Sequence, residues 1–513
     1  MHEEWLSLKS GTDVRGDAVA REGHPAVLTE AAARALGAAF VRFLRSSGCG
    51  KERPVVAIGR DSRVTGEALA LAAAQGLTAA GAQVLSCGLC TTPAMFMTTV
   101  TEGFMADGAV MITASHHPWY RNGLKFFTAR GGLVGADIEA MLRDARDVPE
   151  GPVDAREADF LSVYAEQLAA RVRGALGGGE KPLSGLHVAV DAGNGAGGFY
   201  ERLLRDLGAD TRGSQYLEPD GRFPNHIPNP EDEAAMHAVS RAVKESGADL
   251  GVIFDTDCDR AAIVDRAGRE INRNRLIALI SSILLSERPG ITVVTDSVTS
   301  SGLAAFIRER GGTHHRFKRG YRNVIDEAVR LNEAGVDCPL AIETSGHAAL
   351  RENYFLDDGM YLATRLIVAA MQKKAEGGDI GDFIAGLSEP VEAREVRIGI
   401  TAPDFRAAGQ RAVEAFTAYA PAHGGRLAPD NYEGVRVSFD LNGAPDGGGM
   451  PDTGGAPDSG WVLVRLSVHD PVLPVNCESD VPGGVQRMLG LLLEALSGCE
   501  GLDLSTLRQA VSV

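Results

Sequence analysis

The sequence predicts an α/β protein built from three related stretches, followed by a smaller α+β region. Three observations lead there. Three stretches repeat one order: an apolar strand ending in aspartate, a helix, then a second strand. Each is followed by another apolar strand that stops at an unusual polar loop. After about residue 392 the order changes and the repeat is lost.

The first stretch has a strand at 54–61 ending in Asp61, a helical pattern over 66–80, and a strand starting at Gly81. The second has a strand at 186–191 ending in Asp191, a helix running through Leu207, and a strand at 208–211. The third has a strand at 291–296 ending in Asp296, a helix running through Arg310, and a strand at 311–314. The polar loops that follow are 113–118, 255–260 and 343–347. Strands alternating with helices predict a largely parallel sheet, with ligands gathering outside the carboxyl ends of the strands. Three such loops aimed at one cleft would form a single composite site. The last region reads as a strand at 395–400, a helix at 405–420, strands at 434–440 and 461–467, and a closing helix at 484–496. Between its strands, residues 442–460 hold seven glycines and three prolines and read as a flexible insertion without chemistry.

Composition narrows the class. At 513 residues the chain exceeds one ordinary core. Its 44% hydrophobic and 23% charged content is that of a soluble globular protein. A net charge of −17 disfavours nucleic acid or an anionic membrane as partner, so an anionic substrate needs a local basic site. The opening residues lack the basic and apolar regions of a secretory signal, and the most apolar stretch, 276–285, is far short of a membrane span. Seven scattered cysteines fit a reducing compartment, and a cytoplasmic location is expected. The lone pair Cys87 and Cys90 has no second pair with which to close a zinc site.

The strand at 109–112 ends in Thr113-Ala-Ser115-His116-His117-Pro118, with Lys125 ten residues beyond the serine. A serine held at a strand end beside two histidines suggests a nucleophile or phosphate carrier; a polar turn is the alternative. In the second loop, alternation along an extended chain would put Asp255, Asp257 and Asp259 on one side. Converging carboxylates repel unless a cation sits among them, and an all-oxygen set suits Mg²⁺. An EF-hand is excluded, because its glycine position holds Arg260 and its glutamate position holds Arg266. An aspartyl nucleophile and a solvated acidic turn remain open. Glu343, Ser345 and His347 offer an acceptor, a hydroxyl and an imidazole to a sugar, or else form a simple turn. Lys318, Arg319 and Arg322 form a cationic cluster that either holds a phosphate or is merely solvated. Arg465, Ser467 and His469 bring Arg, hydroxyl and imidazole donors to the end of a strand, the alternative being an edge strand ended by proline.

Taken together, the loops resemble the α-D-phosphohexomutase superfamily, most closely its phosphomannomutase/phosphoglucomutase branch. Lys9-Ser-Gly-Thr-Asp-Val-Arg15-Gly and Phe223-Pro-Asn-His-Ile-Pro-Asn-Pro-Glu231 resemble two further family segments, and all six occur in the family's order. The resemblance implies three related α/β domains with mixed sheets sandwiched by helices, plus a C-terminal α+β domain, around a central active-site cleft. The domains would span 1–152 with the phosphoserine loop, 153–285 with the metal loop, 286–392 with the sugar loop, and 393–513 with the phosphate loop.

It also implies reversible phosphoryl transfer between the 1- and 6-positions of glucose and/or mannose phosphate, through a phosphoserine and a hexose 1,6-bisphosphate. Ser115 would be the phosphoserine. Asp255, Asp257, Asp259 and the Ser115 phosphate would bind one Mg²⁺ per chain, and glucose 1,6-bisphosphate or an equivalent would be the activator. Arg15, Lys125 and His347 would assist phosphoryl and proton transfer, with His116 in a supporting role. Glu343 and Ser345 would hold sugar hydroxyls. Arg260, Lys318, Arg319, Arg322, Arg465, Ser467 and His469 would bind the rest of the substrate. The terminal loop has His469-Asp470 where Thr-Glu is typical of the family, which leaves the hexose open. A phosphoglucosamine or other sugar-phosphate mutase, a non-catalytic sugar-phosphate-binding homologue and an Asp255-dependent phosphatase are the alternatives. The expected partner is a small hexose phosphate, with the chain a monomer or homodimer.

Overall fold

The structure, a computed structural model, describes residues 3–442, 459–467 and 470–512. Val468, His469 and most of the expected insertion, 443–458, lie outside the described residues. The chain packs as two units, Met1–Leu279 with Ser345–Phe383, and Ile280–Thr344 with Ile384–Val513.

The first unit opens with an eight-stranded sheet. Its parallel half runs Gly108–Ile112, Val55–Arg60, Gln83–Leu89 and Ala155–Glu157. Its antiparallel half adds Arg121–Thr128 beside Gly108–Ile112, then Asp13–Asp17. This register sets Met111 opposite Lys125 and Arg15 opposite Gly123, so the chemistry-bearing residues lie around the end of one strand pair. All five residues of Gly108–Ile112 are buried, as expected of a strand covered on both faces.

Helices Glu30–Ser46 and Gly66–Ala79 pack together on this sheet. Thr29 caps the first by accepting from the Ala32 N–H, with Glu30 in its first turn and Arg45 in its last. Glycines let the two backbones touch: a Cβ on Gly76 would lie 1.8 Å from the Arg34 carbonyl oxygen, and one on Gly37 2.2 Å from that of Ala73.

A second sheet in this unit has the order Glu270–Ile271, Ala261–Asp265, Leu250–Phe254, Val188–Asp191. Only its last pair is parallel. The sheets are mixed, as the resemblance implies; the largely parallel arrangement read from strand–helix alternation alone is corrected, because short hairpins return the chain beside the strand it has just left. The strand expected at 208–211 is reduced to isolated bridges, His187 with Asp210 and Asp191 with Gln215. Asp210 accepts from the Arg212 N–H, and the Ser214 N–H donates to the Thr211 carbonyl, so local turns replace the ladder.

The second unit holds three parallel strands, Thr292–Thr295 flanked by Thr313–Arg316 and Leu340–Ile342. Its C-terminal part is an antiparallel six-stranded sheet covered by helices Phe405–Ala422, Gly484–Leu496 and Ser505–Ser512. The expected closing helix at 484–496 is matched, but a further helix follows it. Strand Gly460–Val464 is paired on both sides, so the edge-strand alternative fails, and it ends before Arg465 rather than reaching Ser467.

Helix contact through glycine makes a direct prediction. Gly76→Ala should lower the thermal midpoint, by about 1–3 kcal/mol of overpacking, despite the better helix propensity of alanine. Gly174→Ala, in helix Phe160–Ala175 with nothing within 4 Å of its new methyl, should be neutral or stabilising. A thermal-shift comparison of the two variants checks this; equal midpoints would contradict the packing.

Candidate active site

Strand Gly108–Ile112 delivers Ser115 at its carboxyl end, in a buried loop. Ser115 has φ +51°, a left-handed backbone that a non-glycine residue adopts only when its surroundings enforce it. Its Oγ donates to Asp255 Oδ2 at 2.9 Å and accepts from Arg260 Nη2 at 3.0 Å. His116 Nδ1 lies 3.2 Å from the same oxygen and accepts from Arg260 at 2.6 Å. Burial, then the Arg260 charge, pushes His116 down to about 2, so this ring is neutral at physiological pH.

The acidic loop joins the antiparallel strands Leu250–Phe254 and Ala261–Asp265. Its carboxylates do converge, with ligand atoms of Asp255, Asp257 and Asp259 all within 4.8 Å of one another. The expected cause is corrected, however. Residues 255–259 are not extended: Cys258 has φ +65°, and its N–H donates to the Asp255 carbonyl. A tight turn, not strand alternation, gathers the three side chains.

Two buried cations answer these charges. Lys125 Nζ donates to Asp257 Oδ2 at 2.9 Å and also to Asp259 Oδ2. Arg260 donates from Nε and Nη2 to Asp255 Oδ2 at 3.1 and 3.0 Å. Burial opposes the Lys125 charge, but Asp257 and Asp259 outweigh it and hold the ammonium well above its usual range. Asp257 Oδ1 and Asp259 Oδ1 remain buried with no hydrogen-bond partner among the described residues. Orphaned carboxylate oxygens in an all-oxygen cluster fit a hard divalent cation.

His347 also reaches this cluster. Its Nδ1 lies 2.8 Å from Ser345 Oγ, and its Nε2 is 3.7 Å from Asp259 Oδ1 and 3.6 Å from Asp357 Oδ2. Arg15 pairs with Asp13 at 2.7 Å and lends positive charge to the surroundings of His116 and Lys125. The first unit therefore brings together Ser115, His116, Lys125, Arg15, Asp255, Asp257, Asp259, Arg260, Ser345 and His347.

The remaining candidates belong to the second unit. Glu343 is buried and accepts from the Gly320 N–H at 2.6 Å. The Arg319 N–H donates to Glu433, which also accepts from Ser297 Oγ and lies 3.4 Å from Arg465 Nη1. Ser467 Oγ accepts from the Asp470 N–H. Lys318 is exposed over the Phe317 ring, and Arg322 pairs with Asp326 one helical turn on. His469 lies outside the described residues. Cys87 and Cys90 are buried free thiols, and burial pushes Cys87 up to about 12.

Sequence reasoning missed Asp357, Glu433 and the neighbours of Asp61. The aspartate closing the first strand of each repeat was the available signal. Asp61 accepts from Thr113 Oγ1 at 2.7 Å and Asp296 from Thr344 Oγ1 at 2.8 Å, the same contact in two repeats.

If the acidic cluster holds a cation, MgCl₂ should raise the melting temperature of the wild type, by about 2.7 kcal/mol of linkage at 100-fold excess over Kd. Asp257→Asn should remove that rise. An equal rise in both proteins would place the cation elsewhere.

Three family descriptions match the chain. Phosphoglucomutase/phosphomannomutase alpha/beta/alpha domain I covers residues 8–147, domain II covers 162–268, and domain III covers 272–387. A phosphoglucomutase of Neisseria gonorrhoeae is 30% identical over 469 residues, covering 90% of this chain and 92% of that protein. A phosphomannomutase/phosphoglucomutase of Pseudomonas aeruginosa is 31% identical over 453 residues, covering 87% and 88%. The crystal structure of a phosphoglucomutase/phosphomannomutase family protein from Burkholderia thailandensis superposes with a TM-score of 0.75 at 26% identity, covering 97% of this chain and 99% of that one. With all three α/β domains matched in order and the loops of this site among them, the chain belongs to the phosphoglucomutase/phosphomannomutase family.

Proposed function

We propose that this protein is a phosphohexomutase that interconverts the 1- and 6-phosphates of glucose and/or mannose through a phosphorylated Ser115 and a bound hexose 1,6-bisphosphate. One observation carries the reading: a buried serine hydroxyl bonded to Asp255 and Arg260, beside a carboxylate cluster with unpartnered oxygens. Relatives of near-full length are named phosphoglucomutase or phosphomannomutase/phosphoglucomutase, in keeping with it.

The donor is phospho-Ser115. Its P–Oγ bond breaks as the free hydroxyl oxygen of a hexose monophosphate bonds to phosphorus, and the hydroxyl proton passes to a neighbouring base, a role assigned to His347. A phosphoserine carries close to two negative charges, so catalysis is mainly charge stabilisation and positioning. Lys125, Arg260 and Arg15 supply fixed positive charge for the transferring group. The oxygens of Asp255, Asp257 and Asp259 suit one Mg²⁺, which when bound neutralises charge on the phosphoryl oxygens. In the return half, the other phosphoryl group of the bisphosphate passes to Ser115 Oγ and the sugar oxygen regains a proton. Bonds and protons balance without water, and a hexose 1,6-bisphosphate loads an unphosphorylated chain.

Glu343 and Ser345 are assigned to sugar hydroxyls. Lys318, Arg319, Arg322, Arg465, Ser467 and His469 are assigned to the phosphate that stays behind. The partition into four domains, 1–152, 153–285, 286–392 and 393–513, belongs to the same reading. Seven free cysteines support a cytoplasmic enzyme, and no helix among the described residues is long and apolar enough to cross a membrane.

Mass spectrometry after incubation with glucose 1,6-bisphosphate should find a phosphoryl increment on the Ser115 peptide, discharged by glucose 1-phosphate or mannose 1-phosphate. Ser115→Ala should take no label and show no turnover. An unlabelled wild type, or an active Ser115→Ala, would overturn the mutase reading.

A further inference from the structure

The left-handed backbone of Ser115 is hydrogen-bonded on both sides by residues outside the reacting groups. The Arg63 guanidinium is buried, and its hydrogen bonds go to backbone carbonyls of the Ser115 loop. Nη1 donates to the carbonyls of Pro118 and Arg121, both at 2.9 Å. Nη2 donates to the carbonyl of His117 at 2.6 Å and to that of Ser115 itself. Its Nε lies 3.3 Å from Asp61 Oδ2, and Asp61 Oδ1 accepts from the Arg63 N–H at 2.8 Å. Asp61 Oδ2 also accepts from Thr113 Oγ1, which in turn accepts from the Ser115 N–H at 2.9 Å.

These contacts close a ring: Ser115 N–H, Thr113, Asp61, Arg63 and back to the Ser115 carbonyl. The serine's carbonyl is held by Arg63 directly, and its N–H by Thr113, which donates in turn to Asp61. The outer wall of the ring comes from a conspicuous segment that the mutase reading leaves without a role. The Phe223 ring lies 5.2 Å from the Arg63 guanidinium carbon. Gly221 packs so closely that a Cβ there would be 2.6 Å from Arg63 Cα.

We infer that Arg63, oriented by Asp61, is a positioning residue for phosphoryl transfer: it gathers the carbonyls of the Ser115 loop and aims Ser115 Oγ at the acceptor. This rests on the mutase reading and deepens it. Arginine suits the place because its planar guanidinium donates from Nη1 and Nη2 to four carbonyls while its charge pairs with Asp61; lysine keeps the charge but offers a single point. The Asp61–Thr113 contact recurs as Asp296–Thr344 in the third repeat, whereas in the second Asp191 bonds to Gly193, Gln215 and His226 instead.

The test compares wild type, Arg63→Lys and Thr113→Val in three readouts: the rate of Ser115 phosphorylation by glucose 1,6-bisphosphate, kcat and KM for glucose 1-phosphate, and the MgCl₂ thermal shift. Arg63→Lys should lose about 100-fold in both kcat and phosphorylation rate, with KM and the Mg²⁺ shift retained, as a misaimed nucleophile would. Thr113→Val, which cuts the ring but leaves Arg63 paired, should show the same signature at about 10-fold, and it carries the test if Arg63→Lys does not fold. A folded variant with kcat and phosphorylation rate within about threefold of wild type overturns the inference, whatever its melting temperature. A wild type that takes no phosphoryl group overturns the mutase reading, and this inference with it.

Discussion

Three carboxylates packed within 4.8 Å of one another, away from solvent, set the terms for everything around them. Buried charges of one sign are tolerated only when other charges and hydrogen bonds compensate them. Lys125 pairs with Asp257 and Asp259 and Arg260 with Asp255, which leaves two orphaned carboxylate oxygens. Burial and the charge of Asp259 push Asp255 well above its ordinary range. Asp259, which burial alone would raise, is held down by Lys125 and Arg260. A cluster in this state is poised for a cation, and Ser115 Oγ hydrogen-bonds directly to it.

The scaffold follows from that demand. Lys125 reaches the cluster because its strand pairs in register with the strand that delivers Ser115. Arg260 reaches it from the far side of the turn that carries the aspartates. Lys125 sits inside a strand buried except at its ends, and Arg260 directly before a fully buried one, so neither side chain has to be ordered when a ligand arrives.

Much of this was legible in the sequence because period and punctuation are local. The three repeats, the loops at strand ends and the order of the C-terminal elements can be read from apolar runs and glycines. What could not be read depends on the return path of the chain. Asp255, Asp257 and Asp259 look like alternating strand residues, yet a left-handed Cys258 folds them into a turn. The second repeat loses a strand because Asp210 and Thr211 satisfy nearby N–H groups themselves. Arg63 carries no motif at all; its contacts lie more than fifty residues away, on carbonyls that no pattern of side chains reveals. Conversely, the basic run 318–322 looked like one cluster, but its side chains part company, Lys318 over Phe317 and Arg322 toward Asp326.

The central claim is that the phosphoryl group carried by Ser115 and a divalent cation share the Asp255–Asp257–Asp259 cluster. Phosphorus NMR of the Ser115-phosphorylated protein titrated with Mn²⁺ tests it most directly, since Mn²⁺ accepts the same oxygen ligands as Mg²⁺ and is paramagnetic. The account predicts that one equivalent of Mn²⁺ broadens the phosphoserine resonance beyond detection and that excess Mg²⁺ restores it. A resonance that stays sharp at saturating Mn²⁺ would contradict the account.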